Sequence, residues 1–83
     1  MRHKMIITEN SILAARQWFH DNALACIREV LEGKVKVNDQ ESYFKERKET
    51  AAAYLRGEND HTLAFKQKAY FIQTGECVAL LPN

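Results

Sequence analysis

The segment Thr8–Gly33, TENSILAARQWFHDNALACIREVLEG, reads as one long amphipathic helix against which the rest of the chain must pack. It has no Pro, no Gly before its last residue, and the only Trp, Trp18. Thr8 can accept a hydrogen bond from the first free backbone N–H groups. Gly33 can take the left-handed conformation that ends a helix. Between them lie six or seven turns at about 3.6 residues per turn.

At about 100° per residue, Ile12, Ala15, Phe19, Ala23, Cys26 and Val30 share one narrow stripe, the expected core face. Leu13, Leu24, Ile27 and Leu31 flank it on one side; Ala14, Trp18 and Ala25 flank it on the other. Only Asn10, Gln17, Asp21 and Arg28 make an unbroken polar line. A helix this apolar around its girth is either central to a bundle or shared between two chains. Its greasy area exceeds what two short companion helices can cover, so another molecule is expected to complete the burial.

Eighty-three residues make one domain, residues 1–83, with Met1 to Ile7 expected as a mobile basic arm. A chain of this size buries roughly 60% of its unfolded surface, enough for one thin core. Hydrophobic residues are 46%, too many for a disordered chain. The net charge of +1 lacks the basic excess of a dedicated nucleic-acid binder. Cys26 and Cys77 have no CxxC partner and no metal-ligand spacing, and Cys26 falls on the core stripe. MRHKMII has a basic start but no apolar run long enough for a signal peptide, and no stretch nears the ~20 apolar residues of a membrane span. A cytoplasmic protein that does not engage a membrane is expected.

The remaining elements follow in order. In KVKVND, Val35 and Val37 alternate with lysines, an extended pattern that can form a short strand bridge. Asn38 with Glu41 resembles a capping box opening a second helix over about Asp39 to Arg56, stopped by Gly57. Its expected core stripe is Phe44, Ala51 and Leu55, with the stem of Lys48 between them. Tyr43, Arg47, Thr50 and Tyr54 form a second line. Such a line either covers the core edge or, if exposed, is what a protein-binding surface uses. Asp60 can cap a third helix over His61 to Thr74, stopped by Gly75. Apolar residues surround this helix, which predicts that it is sandwiched. The tail Cys77 to Pro82 is expected to lie along the bundle.

Nothing here carries chemistry. His3, His20 and His61 match no ligand pattern, and adjacent His20 and Asp21 belong to different helix faces. GxSxG, P-loop and GxGxxG motifs are missing. The expectation is a non-enzyme without cofactor or metal. A DNA-binding alternative stays open: two helices joined through Gly57 can form a helix-turn-helix, offering His61, Thr62 and Lys66 to base edges.

Asp60 to Pro82, DHTLAFKQKAYFIQTGECVALLP, together with ARQWF at Ala15 to Phe19, resembles small accessory proteins from the early regions of lambdoid phages and enterobacterial prophages. The resemblance implies a protein that binds and redirects a host protein, and it transfers no site residue. The combined reading is an all-α three-helix bundle with a long first helix and an apolar C-terminal tail packed on it. Its expected role is protein binding, to a host factor or as a homodimer, through Trp18, Tyr43, Arg47 and Tyr54.

Overall fold

A computed structural model describes residues 7–76. It is an all-α three-helix bundle: α1 (Glu9–Leu31), α2 (Gln40–Leu55) and α3 (Leu63–Thr74). The expected tail packing of Cys77 to Pro82, and all of the N-terminal arm except Ile7, lie outside the described residues. Ile7 itself is half-buried against the core and belongs to the folded unit.

The helix ends follow local chemistry. Thr8 caps α1 as expected, its side chain accepting from the Ser11 N–H. Beyond the other end, Gly33 N–H reaches the Val30 carbonyl and Lys34 N–H reaches that of Glu29. This paired closure needs the left-handed Gly33. Three expectations are corrected here. Val35–Val37 forms no strand, and no described residue pairs with it. Asp39, not Asn38, caps α2, because the helix begins at Gln40 and the cap is the residue just before it. Thr62, not Asp60, caps α3, which starts at Leu63 rather than His61. The Thr62 hydroxyl accepts from Phe65 N–H and donates to the Asn59 carbonyl.

The Asp39 cap is expected to leave a pH signature. The Ser42 backbone N–H, and then the Ser42 hydroxyl, hold the Asp39 carboxyl below its ordinary value of 3.8. A depressed folded value means the stabilisation is complete above the unfolded value and fades as pH falls through the folded one. Thermal stability should therefore drop below about pH 4. In Asp39→Asn, whose amide oxygen can still cap, part of that drop should vanish in a melting series against pH.

The three helices are arranged as a hairpin with one broken arm. Arg47 of α2 meets Cys26, and Tyr54 meets Phe19. Asp60, in the turn, meets Arg16. Phe65 of α3 then meets Phe19, and Gln73 meets Ser11 and Thr8. So α2 runs back along the C-terminal half of α1, and α3 continues along its N-terminal half. Among the described residues α2 and α3 share no packed interface. Among the described residues α3 is therefore not sandwiched as its composition predicts: it has one neighbouring helix there, and Leu63, Phe71 and Ile72 stay exposed.

Small residues let the helices approach closely. Ala15 and Ala69 are buried with Phe65, and Ile12, Phe19 and Tyr54 close the cluster. Ala23, Val30 and Ala51 are buried farther along α1 and α2. The predicted α1 stripe therefore does face the core. On α2 the expected stripe is corrected: Ala51 is buried, but Leu55 and Lys48 are exposed. Phe44 of that stripe is half-buried, and the helix is turned so that Tyr43, Arg47 and Tyr54 are half-buried as well, with two rings and a guanidinium stem covering α1 in place of Leu55 and Lys48.

Gly57 makes the break in the second arm. Its φ is +81°, and a Cβ there would lie 2.5 Å from Nη2 of Arg16. Arg16 is held in place by Asp60, its Nε donating to both carboxylate oxygens at 3.2 Å. Gly57→Ala should cost about 1–2 kcal/mol for the left-handed backbone alone, with a further loss from displacing Arg16. Urea unfolding measures it; an unchanged midpoint would mean this turn does not constrain the fold.

Candidate functional site

The four residues expected to bind protein fall into two groups. Tyr43, Arg47 and Tyr54 are half-buried between α1 and α2. The Tyr54 ring stacks on Phe19, with centroids 4.7 Å apart and planes 9° from parallel. Arg47 donates from Nη1 to the Cys26 sulfur at 3.9 Å and from Nη2 to the Thr50 hydroxyl at 3.5 Å. Its Nε is buried without a protein partner. Burial first, and then the neighbouring Cys26, push the Tyr43 hydroxyl above its ordinary value. Arg47 and Tyr54, but not Tyr43, line an open cleft of about 220 Å³ with Asn22, Cys26 and Glu29. Their first duty is intramolecular: they cover the edge of the core.

Trp18 stands apart from them. It is 40% exposed and meets Phe19 edge to face at 4.9 Å. Lys68 places its Nζ 4.0 Å from the Trp18 ring centroid and 5.1 Å from that of Phe71. The ring faces are electron-rich, so the ammonium fixes both aromatics in one surface patch. Sequence reading missed Lys68 and Phe71. Their i,i+3 spacing places them on one side of α3, but nothing in the sequence brings that side to Trp18. An exposed Trp beside a second ring is what protein interfaces favour; the lysine is not part of that signature.

His20 and Asp21 correct an expectation. Although adjacent, they touch, with His20 Nδ1 and Asp21 Oδ1 at 3.0 Å. Gln17, one turn earlier, donates to the same oxygen at 2.8 Å and draws the short Asp side chain across. Hydrogen bonds from His20 and then Gln17 hold the Asp21 carboxyl below its ordinary value.

Of the residues offered to DNA, His61 is exposed before α3, Thr62 spends its hydroxyl on the cap, and Lys66 is half-buried. Among the described residues no cluster of His, Cys, Asp and Glu is placed to hold a metal. No described helix is long and apolar enough to cross a membrane. Set beside known protein families, characterised proteins and solved structures, the chain matches none of them.

Proposed function

We propose that this protein is a non-catalytic, cytoplasmic protein-binding module. Its partner is a host protein or a second copy of itself, in the manner of phage and prophage accessory proteins. The observation that carries the reading is the imbalance of apolar surface. Nine large hydrophobic side chains stay exposed among the described residues, while Phe65 is the single large one fully buried there. Where such side chains gather into one contiguous patch they mark an interaction site. The Trp18–Lys68–Phe71 patch is the part of that surplus with the chemistry of an interface anchor.

Affinity capture of the tagged protein from a bacterial lysate tests this. A stoichiometric partner is expected, retained by wild type and lost by Phe71→Ala, a change at a part-exposed ring that keeps the helical circular dichroism signal. Retrieval of nothing would argue strongly against the reading. A salt-sensitive shift of duplex DNA at micromolar protein, weakened by Lys66→Glu, would replace it with the DNA-binding alternative.

A further inference from the structure

We infer that two copies of this chain pair antiparallel through the open flank of α1, the side away from the Trp18 patch. The inference rests on the protein-binding reading only in that both need surplus apolar surface on α1. The two flanks are separate, so either can fail alone.

Leu13, Gln17, His20, Leu24, Ile27 and Leu31 follow one another in alternating steps of four and three residues. That is the seam spacing of paired helices. It runs along the flank that neither α2 nor α3 covers: Leu24 is 37%, Leu13 52% and Leu31 69% exposed. His20 and Ile27 are half-buried. Leu24 sits between Asp21 and Arg28, and the three line an open depression of about 450 Å³.

Charge decides the occupant and its direction. Asp21 and Arg28 are seven residues apart and border the same edge of the seam. When two such helices pair antiparallel, those edges face each other. Setting Leu24 against Ile27 of the second copy also sets Leu31 against its His20. In that register Asp21 lies beside Arg28 of the second copy, and Arg28 beside its Asp21. The twofold axis crosses α1 between Ala25 and Cys26. One surface thus supplies both halves of its own complement, as a twofold interface requires.

A parallel pair fits less well. It would place Arg28 opposite Ala23, with no acidic partner, and Asp21 opposite Arg16, whose guanidinium is already held by Asp60, as Asp21 itself is held by Gln17 and His20. In the single chain Arg28 has no ion-pair partner among the described residues. In the antiparallel register the overlap of the two α1 helices is His20 to Leu31, so the contact is made by His20, Leu24, Ile27 and Leu31, and Leu13 and Gln17 lie beyond it.

Sedimentation equilibrium on the full chain tests the inference. The weight-average mass is expected to rise from 9.6 kDa to twice that value with concentration. Leu24→Asp should weaken the association at least tenfold with the circular dichroism spectrum unchanged. Asp21→Arg alone and Arg28→Asp alone should each weaken it, because each sets like charges together. The double exchange should restore it, and mixing the two single variants should give a heterodimer. A chain monomeric at every concentration would overturn the inference. So would a dimer indifferent to Leu24→Asp, or single charge variants that pair as well as wild type. A monomer whose Leu24→Asp variant loses a captured protein would assign the flank to that protein instead. Loss of the Phe71-dependent partner leaves these outcomes untouched, so the two readings are separable.

Discussion

Phe65→Ala should remove about 3–5 kcal/mol of unfolding free energy, the usual loss for a buried phenylalanine. The ring is 2% exposed and lies between Ala15 and Ala69, small residues whose backbones cannot close over the space it leaves. Globular chains are stable by only about 5–15 kcal/mol, and one of this size belongs at the lower end. The loss would lower the melting temperature by roughly 12 °C or more, at about 4–8 °C per kcal/mol. Urea unfolding followed by circular dichroism measures it directly. A loss below about 1 kcal/mol would mean that α3 does not dock through this ring.

Phe19→Ala is the second large effect, expected at about 2–4 kcal/mol, at or below the range for a fully buried ring because Phe19 is only half-buried. Its position makes up for its exposure. It stacks on Tyr54 of α2 and on Phe65 of α3, at 4.7 and 5.8 Å, and receives the edge-to-face contact of Trp18. Since α2 and α3 do not pack on each other, this ring is where both arms are tied to α1. A double-mutant cycle of Phe19→Ala with Phe65→Ala should show a coupling of about 0.5–1.5 kcal/mol, the value for an aromatic pair. Additive losses would mean the two rings act independently. The Phe19 variant should also raise hydrogen exchange in both α2 and α3, whereas Phe65→Ala should loosen α3 more than α2.

Much of the fold is legible in the residue order. Helix periodicity and the stops at Gly33, Gly57 and Gly75 mark three helices, and each glycine does take a positive φ. The stripe through Ala15, Ala23 and Val30 identifies the buried side of α1, since a 3.6-residue period leaves little choice of face once the polar line is placed. The candidate site was less legible. The Tyr43–Arg47–Tyr54 line could be seen, but its exposure could not, because α2 carries apolar residues on several faces and its rotation depends on what α1 offers. Lys68 and Phe71 gave no signal on their own. The shift of the α3 cap from Asp60 to Thr62 had the same kind of cause: Asp60 is drawn away by Arg16, forty-four residues earlier.

Local backbone preference and apolar spacing, which act over a few residues, are enough by themselves to make this chain three helices and to choose the inner face of the longest. Only the tertiary structure decided that α2 and α3 lie end to end along α1 rather than side by side. It also decided which way α2 is rolled, and that Trp18 meets Lys68 while one leucine flank stays in water. Those outcomes depend on contacts between residues far apart in the chain, whose energies are compared only once the helices are brought together.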